Sequence, residues 1–377
     1  MTSREPEDTA ASSAEDAVPE REAEPTSAPR SGLNRKRTII GAVVAILFLA
    51  VVFARVIPQI GDYAQAGEYL KSMSAGAVVA LVAVVLLYLF VYGWPFVAAT
   101  PGLRYRDAFV VNQSAFAVSN GIPGGGAFGL GLQYAQLATY KTSPTAATAA
   151  IGATGVWSVF LSLGLPVTGI AAYAAVGDDA SKYAVAAVIG LVILVAAIGT
   201  FALILKSERG ARRVGDFFSR IANPVVHKLR HGQSMDLTPS VLRLRHDTVG
   251  LVRRRWVAIT AAQIAVSWAQ FAILYTALVG VTGSTGAVPL LGAYGSWAIS
   301  QLGIMIPITP GGLGTVDAAL IALLSAAGID AGAATAADLV WRASSYIPQM
   351  AIGLISIFYW RWQVQRNRKL ASSAGRG

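Results

Sequence analysis

Residues 75–98 read "AGAVVALVAVVLLYLFVYGWPFVA", and no charged side chain interrupts them. An apolar helix needs about 20 residues to cross roughly 30 Å of hydrocarbon, and this run is long enough. It is one of several. Residues 39–57, 146–175, 183–205, 256–281 and about 338–360 are comparable, and two shorter apolar stretches, 288–306 and 315–327, flank a Pro/Gly break. Soluble domains carry about 25% charged residues; this chain carries 13%, with 54% hydrophobic residues and a mean hydropathy of +0.55. The pattern predicts an all-α polytopic membrane protein with about six full spans.

Charge orders the rest of the chain. Residues 1–32 hold eight acidic and three basic residues, are rich in Ala, Ser, Pro and Glu, and contain no aromatic ring. Such a segment buries too little apolar surface to offset its ordering entropy, so 1–34 is expected to be a disordered cytoplasmic tail, with a membrane domain over 35–377. A tail this long and polar ahead of the first apolar block is unlike a secretory signal. Lys and Arg concentrate in 34–37, in 104–106, in 361–369 and in a basic loop, 206–255, with twelve basic residues against four acids. The positive-inside rule places all of these, and both termini, on the cytoplasmic side of the cell membrane. The loop's interleaved apolar residues suggest an amphipathic helix on anionic lipid. No recognition motif accompanies the charge, so a nucleic-acid partner is not expected.

The alternation of sides closes only if 106–140 enters and leaves from the cytoplasm and 288–327 from the other face. Both are therefore expected to be re-entrant or broken-helix hairpins, and both carry a Pro/Gly break: "NGIPGGGAFGLG" (120–131) and "PITPGGLG" (307–314). The glycines at 124, 126 and 129 match dinucleotide-loop spacing, but no strand precedes them and no βαβ unit surrounds them. An ungapped offset of 187 pairs Pro123 with Pro310 and "AATAA" at 146–150 with "AATAA" at 333–337, with ten of 28 positions identical. An internal duplication follows. With hairpins on opposite faces the repeats are inverted, the build of many secondary transporters.

Candidate binding residues cluster at these breaks. Irregular backbone at membrane depth survives only inside protein or beside a wet cavity. The bare N–H groups of a Pro-Gly-Gly helix start favour an anion, which nominates Pro123, Gly124, Gly125, Gly126, Pro310, Gly311 and Gly312. The same glycines also serve tight turns and close packing. Gln133 and Tyr134 follow the first break, in a polar group with Asn112, Gln113, Asn120 and Gln136. Asp317, Asp338, Arg342 and Tyr346 lie in apolar surroundings, where a charge costs about 2.5–3.5 kcal/mol. Asp338 and Arg342 stand at i, i+4 and can pair along one helix face; Asp317 can cap its helix. No cysteine is present, and the three histidines (227, 231, 246) all fall in the basic loop. Without metal ligands or a nucleophile–base set, neither a metal, a cofactor nor catalysis is expected. An intramembrane aspartyl protease finds no GxGD-type motif at either acid.

The stretches "IPGGGAFGLGLQYAQLATYKTSPTAATAA" and "PITPGGLGTVDAALIALLSAAGIDAGAATAADLVWRASSYIP" resemble the two signature regions of the lysylphosphatidylglycerol synthase transmembrane (flippase-like) family. The resemblance covers roughly 39–365 and rests most specifically on Pro310 to Gly314, Asp317, Arg342, Tyr346 and Pro348. Asp317 stands where the family usually has Glu, and the Arg often found near Gln133 is missing. The resemblance implies a stand-alone membrane region, without the synthase domain, that moves an amphiphile with a polar or anionic headgroup. Membrane lipids, anionic phospholipid among them, and a separate lipid-modifying transferase are the implied partners. A secondary transporter of a small polar solute and a non-transporting scaffold for such an enzyme are the alternatives. Oligomeric state is not legible.

Overall fold

The computed structural model describes residues 63–121, 125–175, 180–229, 236–286, 288–305 and 310–374. The acidic tail, the predicted span at 39–57, Pro123 and Gly124 lie outside them. In chain order the helices are α1 (Tyr63–Ser72), α2 (Ala75–Val91), α3 (Trp94–Ala99), α4 (Tyr105–Gly121), α5 (Gly125–Thr139), α6 (Pro144–Ala174) and α7 (Ala180–Lys206). There follow α8 (Glu208–Leu229), α9 (Thr238–Thr282), α10 (Leu290–Ser300), α11 (Thr315–Ala326) and α12 (Ala331–Ala374). Short 3-10 turns occupy Gln301–Met305 and Pro310–Gly312. No strand occurs among the described residues.

Local chemistry explains the boundaries. Ser74 starts α2 by accepting the Ala77 N–H at 3.2 Å, and Ser143 does the same for Ala146 at the head of α6, each satisfying a backbone donor that a helix start leaves bare. Gly283, in the left-handed region at φ 71°, closes α9, the usual glycine stop. Asp330 caps α12 by accepting the N–H groups of Gly332 and Ala333.

Among the described residues, four segments are long and apolar enough to cross a membrane: Ala75–Ala99, Pro144–Ala174, Val188–Lys206 and Thr238–Thr282. The 44-residue α12 is long enough but more polar, because it carries Asp338, Arg342 and Gln349. Large apolar side chains face outward on these helices, including Val79 (69% exposed), Val185 (68%) and Phe358 (68%). A water-soluble fold would bury them; a bilayer solvates them.

The basic segment is helical, as its interleaved apolar residues suggest. Residues 208–229 and 238–255 are helical, and α9 is continuous through 45 residues, about 68 Å at 1.5 Å per residue. That is about twice the hydrocarbon thickness, so the Arg-rich first half extends the span beyond it. The α8 helix folds back on α9. Ser219 Oγ accepts the Leu237 N–H at 2.8 Å, and Thr238 donates to Asp216 at 2.8 Å.

Both predicted hairpins are present. Helices α4 (17 residues) and α5 (15) measure about 25 and 22 Å, while α10 (11) and α11 (12) measure about 16 and 18 Å. None crosses 30 Å alone. A Cβ placed on Gly129 would lie 2.0 Å from Ser119 Oγ, and one on Gly303 2.8 Å from the Val316 nitrogen. Each pair straddles its break symmetrically, so the helices of each hairpin run antiparallel.

The duplication extends to the helix ends. Helices α5 and α11 end at Thr139 and Ala326, and α6 and α12 begin at Pro144 and Ala331; both pairs differ by the same 187 positions. Packing is exchanged between halves. Helix α4 packs on α12 of the second repeat, and α10 packs on α6 of the first. Glycine permits both approaches. A Cβ on Gly353 would lie 2.4 Å from the Gln113 carbonyl oxygen, and one on Gly169 2.7 Å from Ala298 Cβ. The largest core, around Trp297, Trp341, Leu274, Leu278 and Leu320, joins α9 to the second hairpin and α12.

Candidate functional site

At the second break the glycines are required by conformation. Gly311, Gly312 and Gly314 have φ of 63°, 68° and 88°, a region closed to most side chains. A Cβ on Gly311 would fall 1.7 Å from Tyr346 Oη. At Gly311 and Gly312 the carbonyl oxygens make the contacts. Tyr346 Oη donates to the Gly311 oxygen at 3.0 Å, and the Arg342 guanidinium reaches the Gly311 and Gly312 oxygens at 3.5 Å each.

Arg342 is 3% exposed, and its Nε donates to Asp317 Oδ1. Asp317 Oδ2 in turn accepts the Gly314 N–H at 2.6 Å. The acid therefore caps α11 and binds the arginine together, so the positive end of α11 already faces a carboxylate. The rings of Trp341 and Tyr346 flank the guanidinium, with centroids 4.6 and 5.3 Å away, a cation–π arrangement.

Two expectations change here. Arg342 pairs across helices with Asp317 and not along its own helix with Asp338. Asp338 also does not open the last helix, which begins seven residues earlier at Ala331. Asp338 is fully buried and its carboxyl oxygens make no hydrogen bond among the described residues. Asp317 and Arg342 are the charges that act on it.

The first break stands against a cavity of about 480 Å³ lined by residues of α3–α6 and α9, with Tyr92 from between α2 and α3. Six uncharged polar side chains reach it: Asn112, Ser119, Gln133, Thr154, Ser158 and Gln263. Tyr92, Phe96 and Ile151 supply apolar wall, and none of the described lining residues is charged. Asn112 donates to the Tyr92 carbonyl at 2.6 Å, and Gln263 Nε2 reaches the Thr154 carbonyl at 3.3 Å and Ser158 Oγ at 3.5 Å. The Gln133 amide makes no side-chain hydrogen bond with another described residue. On the rim, a Cβ at Gly126 or Gly155 would meet nothing within 4 Å. Leu130 (44% exposed) lines the cavity and Val159 (53%) stands one residue beyond Ser158, so the polar space opens beside an outward apolar surface.

The predicted residues therefore divide. Gly126 and Gln133 line the cavity, Gly125 is buried at the start of α5, and Tyr134 turns away to Thr148 Oγ1 at 3.2 Å. Gly311, Gly312, Asp317, Arg342 and Tyr346 form the separate clasp, and Pro310 begins the turn that carries its two glycines. The two places are linked: Tyr92 meets Phe116 at 5.9 Å between centroids, and Phe116 meets Tyr346 at 5.5 Å. Ser119, Thr154, Gly155, Ser158 and Gln263 were missed. Thr154 and Ser158, one turn apart in an apolar span, were the available signal.

Paired broken hairpins exchanged between two repeats, inside a shell of outward apolar helices, define a polytopic α-helical membrane protein built on an internal duplication. Residues 38–353 match the family described as the lysylphosphatidylglycerol synthase TM region, and the chain belongs to that family. A UPF0104 membrane protein from Methanothermobacter thermautotrophicus is 38% identical over 91 residues, which is 24% of this chain and 25% of that protein. The match thus spans about a quarter of the relative's length.

Proposed function

We propose that this protein moves, or helps to move, a lipid or lipid-linked amphiphile across the cell membrane without catalysing a covalent step. One observation carries this reading: a polar cavity whose glycine rim opens beside exposed apolar side chains. A headgroup entering there keeps its hydrogen bonds while its chains remain in hydrocarbon. A solute site enclosed away from lipid would have no use for such a rim. Pockets of about 300–1,000 Å³ suit small ligands, and 480 Å³ suits a headgroup. Membrane lipids are the partners under this reading, a separate enzyme makes the headgroup, and both termini lie in the cytoplasm.

The clasp at Asp317, Arg342 and Tyr346 then shapes the second break, and its role is positional. The test is translocation of fluorescent lipids in reconstituted liposomes, comparing wild type with Gly155→Leu. Leucine at 155 fills the rim without meeting a neighbour at Cβ. Translocation by wild type, and its loss in Gly155→Leu at unchanged melting temperature, is expected. Absence of flux for every lipid class, or equal flux in the variant, refutes the proposal.

A further inference from the structure

Resting on that reading, we infer that the headgroup is uncharged and polyhydroxylated, a glycosyl or polyol group, rather than the anion that the Pro/Gly motifs suggest. The cavity supplies carboxamides from Asn112, Gln133 and Gln263 and hydroxyls from Ser119, Thr154 and Ser158, with no ionised group among its described lining residues. A phosphate or ammonium brought there would lose water without gaining a counter-charge, which is costly in a low-dielectric site. Arg342, the cation nearest in kind to an anion receptor, is 3% exposed and committed to Asp317 and to the Gly311 and Gly312 carbonyl oxygens.

Carboxamides match sugars for a specific reason. One amide presents a donor and an acceptor side by side, and adjacent hydroxyls present the same pair in reverse. Among the described residues the Gln133 amide has no side-chain partner, and it lines the cavity; a polyol would complete it. The rings of Tyr92 and Phe96 offer flat apolar wall for the C–H face of a sugar.

The experiment uses the full chain in liposomes with three fluorescent lipids: a monoglucosyl diacylglycerol, phosphatidylglycerol and phosphatidylcholine. The glucosyl lipid is expected to move fastest. Gln133→Leu, which keeps side-chain bulk but removes the amide, is expected to slow it by roughly tenfold, equivalent to about 1.4 kcal/mol, and so to shrink its lead over phosphatidylcholine. Preference for phosphatidylglycerol, or a glucosyl rate indifferent to Gln133→Leu, overturns the headgroup assignment while leaving translocation standing. If no lipid moves, translocation itself falls. Binding of the glucosyl lipid to purified protein, read by native mass spectrometry against phosphatidylglycerol, then decides the headgroup separately. Equal retention of both lipids there overturns it; selective retention lost in Gln133→Leu upholds it.

Discussion

Replacing Arg342 with methionine is expected to be among the costliest single changes in the second repeat. The pair it breaks is sealed, with Asp317 at 0% and Arg342 at 3% exposure. Removing one member of a buried pair strands the other charge, at about 3–5 kcal/mol. Two carbonyl contacts also go, but at 3.5 Å they add only about 1 kcal/mol together. Arg342→Met should therefore cost about 4–6 kcal/mol. Asp317→Leu strands the guanidinium similarly and uncaps Gly314, a loss of about 1 kcal/mol. The double variant removes both charges, and an apolar pair of similar bulk is often close to neutral. It should be less destabilised than Arg342→Met alone. Reversible unfolding in mixed micelles, followed by tryptophan fluorescence, gives the four free energies. Costs that add to within about 0.5 kcal/mol would refute a direct Asp317–Arg342 coupling.

Two further outcomes follow from contacts elsewhere. Gly129→Ala should destabilise by about 1–3 kcal/mol, because its Cβ would sit 2.0 Å from Ser119 Oγ and 3.0 Å from the Ala115 oxygen; adding Ser119→Gly should recover part of that in a melting experiment, and no recovery would sink the close-approach account. Tyr140, in the turn between α5 and α6, has its phenol pushed up to about 12, first by burial, then by the charges of Asp107 and Tyr359. The folded chain thus holds this proton more tightly than the unfolded one, so the stabilisation is complete below pH 10 and lost as pH rises through 12. Ultraviolet titration of wild type against Tyr140→Phe should show the missing phenolate near pH 12, and a midpoint near 10 would contradict the packing described for Tyr140.

Much of the scaffold is legible from sequence because the bilayer imposes length and polarity together. The runs at 75–98, 146–175, 183–205 and 256–281 could hardly be anything but spans, and the 187-residue offset locates both hairpins. In the basic segment 206–255 the interleaved apolar residues foretell helix, whereas nothing in the charge pattern says that the helix beginning at Thr238 runs unbroken into the span at 256–281. The site was less accessible. Asp338 and Arg342 are four apart, and local spacing favours their pairing; the tertiary fold supplies Asp317 from another helix, 25 positions away, and that contact wins. The cavity was nearly invisible, since Thr154, Ser158 and Gln263 look like ordinary interhelical partners until α6 and α9 are set beside the first break. The Pro/Gly breaks point to an anion through their bare N–H groups, yet at the second break the Gly314 N–H is already taken by Asp317.

The exchange of hairpins between halves also sets a timetable for biogenesis. Helix α4 finds its packing surface on α12, which leaves the ribosome roughly 200 residues later, and at 5–20 residues per second that is a wait of about 10–40 s. During the wait the first hairpin must sit in lipid or against the translocon with its partner missing. From Ala108 to Thr139 it bears no ionised side chain, so the delay strands only neutral polar groups. The second hairpin follows a different schedule: Asp317 precedes Arg342 by only 25 positions, a few seconds of synthesis. A buried carboxylate is placed where its counter-ion arrives almost at once.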